Sequence, residues 1–224
     1  MRKIIVTCGP ASTAIDRVRR ITNFSTGELG TLLAEALIHS DYKVTVFRGE
    51  GATFRPPAGM EVASFVSNDD LLELFQKFAA NGTVAAIYHA AALTDFRVAG
   101  VTDETGRDLH AGKISSSNRE IFLRLTPESK VISELRRLFP TSFITGWKYE
   151  LDGDYESALA KGRTQIRECQ TDATVVNGDA IGEGFVYLGS EDVVPLPNKK
   201  ALVQFLVEEL NRLYLSALNR DNRE

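Results

Sequence analysis

Cysteine and histidine are scarce in this chain. Two cysteines, Cys8 and Cys169, and three histidines, His39, His89 and His110, are scattered along 224 residues. None has the short spacing used by zinc sites or disulfide frameworks. No metal site built from a protein cluster is expected, and the histidines read as structural or solvent-facing. Long apolar runs are missing too, which excludes a membrane span. No signal peptide precedes the apolar run Lys3–Cys8, so a cytoplasmic location is expected and a disulfide is not. Basic residues do not predominate: 26 Lys and Arg against 30 Asp and Glu leave a net charge of −4. This argues against nucleic acid as a partner but leaves room for a local basic site that takes a nucleotide. No linker-like change in composition and no internal repeat interrupts the chain, so one domain over 1–224 is expected.

What is present is globular material, 43% hydrophobic and 25% charged. Short β-branched or aromatic runs at Lys3–Cys8, Lys43–Arg48, Glu61–Val66, Thr83–His89, Ser142–Trp147 and Ala173–Asn177 are strand candidates. Between them, apolar residues recur at helical spacing. Leu29, Leu32, Leu33, Ala36 and Leu37 form one such face. Leu71, Leu72, Phe75 and Phe78 form another behind the capping residues Asn68 and Asp69, and Val131, Ile132, Leu135 and Leu138 a third after Pro127. Further helices are predicted over Tyr155–Cys169 and from Lys199 to Leu218. The alternation predicts an α/β fold: a Rossmann-like parallel sheet with helices on both faces and a ligand crevice at the carboxyl ends of the strands. Ile121–Leu125 and Phe185–Leu188 read as extra strands near an edge. The interval Phe96–Asn118, polar and rich in Gly, Asp and Ser, reads as a long flap.

The segment Asp16–Gly30, DRVRRITNFSTGELG, carries a basic run through Asn23 into a Ser-Thr-Gly turn that opens a helix. Backbone N–H groups at such a terminus attract a phosphate or carboxylate, and Gly27 and Gly30 permit close approach. Arg19 and Arg20 could add charge-assisted hydrogen bonds. The plainer local reading is a capped helix, with Ser25 or Thr26 as cap. Gly112-Lys113 is not a P-loop, because Gly106 is one position too far upstream and Ile114 replaces the magnesium-binding Ser or Thr.

Taken in order, these segments resemble the phosphopantothenate-cysteine ligases in their stand-alone form. DRVRRITNFSTG is similar to the family's first loop, HAAALTDFRV (His89–Val98) to its Ala-Ala-Val-Ala-Asp-aromatic segment, and GKISSS (Gly112–Ser117) to its Lys-Ile turn. ITGWKYEL (Ile144–Leu151) resembles the Gly-Phe-Lys-Leu-Glu stretch, and TDATVVNGD (Thr171–Asp179) the strand ending in Asn-Asp. The resemblance implies a ligase of coenzyme A biosynthesis that joins 4′-phosphopantothenate to cysteine through an acyl-nucleotide. Its co-substrate would be CTP, with ATP as the close rival, magnesium would sit on the triphosphate, and its assembly would be a homodimer.

The same resemblance assigns catalytic roles to Asn23, which would hold the reacting carboxyl, to the flap residue Lys113, and to Arg19. Substrate or nucleotide binding falls to Gly9, Ser25, Thr26 and Gly27, to Ala91, Ala92, Asp95 and Phe96, and to Trp147, Lys148 and Asn177. Some positions depart from the family pattern. Gly9-Pro10-Ala11 replaces Gly-Gly-Thr, Glu28 stands where lysine is common, and Gly178 separates Asn177 from Asp179. The basic stretch before the last motif is thinned to Lys161, Arg163 and Arg167. The chain reads as a divergent member, with two alternatives open. One is an NAD(P)-binding oxidoreductase, disfavoured by the missing three-glycine fingerprint but offering Arg48 to a 2′-phosphate. The other is a catalytically weak nucleotide-binding homologue.

Overall fold

The computed structural model describes residues 2–109 and 112–221, with side chains as far as 215; His110 lies outside the described residues. In chain order the elements are β1 (Lys3–Cys8), β2 (Ser12–Ala14), β3 (Arg20–Thr22), α1 (Glu28–His39), β4 (Lys43–Gly49) and β5 (Glu61–Phe65). Then come α2 (Asn68–Ala80), β6 (Ala86–His89), β7 (Phe96–Asp103), β8 (Ile121–Pro127), α3 (Val131–Leu138) and β9 (Phe143–Tyr149). The chain continues through α4 (Tyr155–Cys169), β10 (Ala173–Asn177), β11 (Phe185–Leu188), β12 (Val193–Leu196) and α5 (Lys199–Asp221).

Eight strands form the main sheet in the order β12-β11-β10-β9-β6-β1-β4-β5. From β10 to β5 the pairings are parallel, while β11 and β12 close one edge antiparallel. β1 is central because Ile4 to Cys8 is buried on both faces, as a parallel strand sandwiched by helices requires. One face packs Ile4, Val6 and Val44 on Leu33 and Leu37 of α1 and on Leu202 and Leu206 of α5. The other packs Ile5 and Phe47 on Leu71 and Phe75 of α2 and on Leu135 of α3. Leu159 of α4 closes over Val176, Val186 and Leu188.

Four sequence expectations change. α2 is capped by Ser67, whose hydroxyl accepts the Asp70 N–H in a reciprocal capping box, whereas Asn68 is buried and bonded elsewhere. The loop before α1 contains a small antiparallel pair, β2 with β3. Phe96–Asp103 is strand rather than flap, and it pairs antiparallel with β8, with a register shift between Val98 and Gly100. The expected strand at Ile121–Leu125 therefore exists, but in this separate two-stranded ribbon and not at an edge of the main sheet. Phe185–Leu188 is the antiparallel strand beside the edge that its sequence suggested.

Candidate active site

A cleft of about 1160 Å³ opens at the carboxyl ends of β1, β6, β9 and β10, where an open α/β sheet binds its ligands. One wall is the start of α1. Its N-cap is Gly27, in the left-handed region at φ 76°, and no side chain caps the helix. Capping by Ser25 or Thr26 is thus corrected: Thr26 Oγ1 accepts only the Glu28 N–H at 3.3 Å, so the first turn faces the cleft without a side-chain cap. A Cβ at Gly27 would lie 3.0 Å from that of Ala52, and one at Gly30 2.5 Å from that of Cys8. Gly30 thus lets the helix end sit against β1, and Gly27 lets the turn pack on Ala52 and Gly9. Residues 52–54 support the turn from behind through Thr53 and Phe54 N–H bonds to Thr26 O, at 3.1 and 3.0 Å. Arg48 holds these residues in turn, donating to the carbonyls of Ala52 and Phe54 at 2.5 and 3.0 Å. Its Nη2 is taken by these carbonyls, its Nε is buried without a partner, and Arg48 does not line the cleft, so it is not presented to a 2′-phosphate there.

The cleft floor is residues 90–95. Ala92 N–H bonds Gly9 O, and Ala11 N–H bonds Ala92 O, both at 3.0 Å. Asn23 reaches the same loop, donating to Leu93 O at 2.6 Å. Asp95 is exposed at the rim, and its carbonyl accepts Glu128 N–H at 2.8 Å. Pro10 is buried against Gly49 and Ala11 in the core beneath α2 and α3, and neither lines the cleft, so their departure from the family pattern is a packing feature. Gly178 also has a local cause: at φ 114° its Cβ would fall 2.3 Å from Glu150 O.

On the far wall, Trp147 is half-buried against the α1/α5 core, and its neighbour Lys148 pairs with Glu150 at 3.1 Å. Lys161 of α4 holds the other Glu150 oxygen. Burial pushes the Glu150 carboxyl up, but hydrogen bonds and charge from the two lysines outweigh it and hold the group below its ordinary value. Lys199 reaches across from α5 to pair with Glu28.

Most predicted site residues converge here. Gly9, Asn23, Ser25, Thr26 and Gly27 line the cleft from one side, and Ala91, Ala92, Asp95, Trp147, Lys148 and Asn177 from the others. Three do not line it. Phe96 is half-exposed on the ribbon. Arg19 is engaged away from the cleft, paired with Asp16 at 3.3 Å and donating to Ile114 O at 3.1 Å. Lys113 is exposed, and its segment is tied to the same loop by Arg17 N–H to Gly112 O and Ile114 N–H to Asp16 Oδ2, each at 3.1 Å. Sequence reading missed Lys130, Lys199 and His89, which also line the cleft, and Glu150, which holds the lining lysines Lys148 and Lys161. Lys130 and Lys199 carry no local pattern that sets them apart from solvated helix-end lysines. Among the described residues no group of three or more His, Cys, Asp or Glu could hold a metal.

The sequence profile of the DNA/pantothenate metabolism flavoprotein C-terminal domain matches residues 1–205. The chain belongs to this family. It is 28% identical over 225 aligned residues to the coenzyme A biosynthesis bifunctional protein CoaBC of Thermococcus kodakarensis, covering 95% of this chain and 51% of that protein. The CoaBC protein of Methanocaldococcus jannaschii is 25% identical over 221 residues, with 96% and 51% covered. The chain thus spans about half the length of these curated relatives. Among solved structures, the DNA/pantothenate metabolism flavoprotein from Streptococcus pneumoniae superposes with a TM-score of 0.84 at 24% identity, covering 95% of this chain and 100% of that one. A Cab2 H337A variant in complex with phosphopantothenate-cysteine gives 0.74 at 16% identity, over 99% and 89%. Both likenesses establish the family's Rossmann-like fold for this chain.

Proposed function

We propose that this chain joins phosphopantothenate to cysteine, using a nucleoside triphosphate to activate the carboxylate. The observation that carries this reading is convergence: of the segments that resemble the ligases in sequence, all but the Gly112–Ser117 turn bring residues to one cleft. The names of the CoaBC relatives and the product held by Cab2 support it. The substrate carboxylate would attack the α-phosphorus, expelling pyrophosphate; the cysteine amine would then attack the acyl carbon and expel the nucleoside monophosphate. The first step gathers several anions. The α1 N-terminus with Ser25–Gly27, and lysines 130, 148 and 161 on the opposite wall, are the groups that offset their repulsion. Magnesium would arrive on the triphosphate and neutralise part of its charge. Asn23, already aimed at the floor, is the amide suited to hold the reacting carboxyl. Lys113 acts only if its segment closes, which requires the Asp16–Arg19 loop to move with it or the three bonds from Asp16, Arg17 and Arg19 to break.

CTP is the co-substrate favoured by the resemblance. No described helix is long and apolar enough to cross a membrane, and the phosphorylated substrates would be met in the cytoplasm. A homodimer is the proposed assembly, because Phe96, Ile121, Phe122 and Leu125 stand exposed on the β7–β8 ribbon. Light scattering should give twice the chain mass.

The direct test is pyrophosphate release with CTP or ATP, phosphopantothenate and magnesium, followed by amide formation on adding cysteine. Folded protein that is inactive with both nucleotides would overturn the ligase reading. Thermal stabilisation by CTP without turnover would mark a weak homologue, and stabilisation by NADPH alone an oxidoreductase.

A further inference from the structure

His89 ends β6 beneath the cleft floor. It is 6% exposed and meets the edge of Phe75 at 6.0 Å between ring centres. Its Nδ1 lies 3.0 Å from Thr7 Oγ1, and that same oxygen accepts the Ala91 N–H at 3.0 Å. Thr7 is fully buried, so its single hydroxyl proton needs a partner inside the protein. One arrangement satisfies all three groups: Thr7 donates to Nδ1, and its oxygen lone pair faces Ala91. This requires a neutral imidazole protonated on Nε2. Burial holds the ring neutral by lowering its pKa to about 4.

We infer that His89 is a positioning residue: by accepting the Thr7 hydroxyl proton, it orients that oxygen toward the Ala91 amide and so sets the course of residues 90–95. The inference rests on the ligase reading, in which this floor carries the nucleotide. It does not act alone. Asn68, also buried, donates to Thr94 O at 2.9 Å and accepts Thr94 N–H at 3.3 Å, pinning the far end of the same loop. Between these two pins the small side chains of Ala91 and Ala92 are held at fixed height in the cleft.

Two substitutions separate hydrogen bonding from packing. His89→Leu keeps volume and removes the acceptor; His89→Asn loses volume but its amide oxygen can take the Nδ1 role. Thr7→Val removes the Ala91 acceptor outright. In protein shown to be folded by circular dichroism, hydrogen exchange across residues 90–95 should speed up roughly tenfold or more in His89→Leu and Thr7→Val, and stay near wild type in His89→Asn. The nucleotide KM should rise about tenfold in the same two variants with kcat little changed, since ground and transition states lose the same support. Unchanged exchange in His89→Leu, or a His89→Asn protein worse than His89→Leu, overturns the inference and leaves His89 a packing residue. Wild-type protein that fails to turn over sinks the ligase reading instead, and exchange still decides the role of His89.

Discussion

β1 and β8 are both short strands rich in β-branched and aromatic residues, yet they end in opposite environments. β1 loses all but its first residue from solvent, between two helical layers. β8 has no fully buried residue and shows Phe122 at 54% and Leu125 at 44% exposure. Strand-forming character sets the backbone conformation, but burial depends on what packs on the faces. β1 has helices from the same chain on both sides; among the described residues the ribbon packs chiefly strand on strand, and its exposed apolar face is the one proposed above to meet a second copy. The cleft belongs to the first region. The tethered Lys113 segment extends from the second.

The largest effect expected from breaking this contrast is in the core. Phe47 is fully buried and meets Phe75 and Phe78 edge-on at 5.1 and 4.9 Å. Phe47→Ala should cost about 3–5 kcal/mol in urea unfolding. Acid should attack the same region next. An unfolded His89 takes a proton near 6.5, whereas the folded ring refuses it until about 4, so protonation favours unfolding. The stabilisation is complete above pH 6.5 and is lost as pH falls to 4, about 3 kcal/mol in all. His89→Asn should flatten that part of the stability profile; an unchanged profile would show that other groups govern it.

At the cleft, Asn23→Ala should cost turnover about 1.5–3 kcal/mol if its amide meets a charged intermediate. Its effect on stability should be smaller, because Asn23 is exposed and gives up only its bond to Leu93. Equal turnover at saturating substrate would reduce Asn23 to a loop tie. Smallest of all, Phe122→Ser on the ribbon should change monomer stability by within about 0.5 kcal/mol while shifting light scattering toward the single-chain mass. A large loss of stability without dissociation would show that the ribbon packs on its own chain.

Local pattern was enough for the central architecture. Lys3–Cys8, Ala173–Asn177, Phe185–Leu188 and Tyr155–Cys169 were legible because each is a short buried run or a helical face bounded by its own turn or cap, and their alternation implies a parallel sheet with its crevice at the strand ends. Most of the candidate site was legible for a related reason: glycines and small residues at strand ends leave a local signature. What the sequence alone could not supply depends on partners distant along the chain. Phe96–Asp103 looked like flap because Gly100 and Asp103 blur its alternation, and only pairing with β8 makes it strand. Arg19 looked like an anion ligand, but Asp16 and the Ile114 carbonyl take its guanidinium. His89 looked incidental until folding placed Thr7 and Ala91 around it, and Lys161 and Lys199 joined the cleft through Glu150 and Glu28 from other elements. A strand or helix face is dictated by residues a few positions apart, whose periodicity is written in order along the chain. A charge or hydrogen bond is decided by whichever group the finished fold brings within 3 or 4 Å, and for that only the tertiary structure holds the answer.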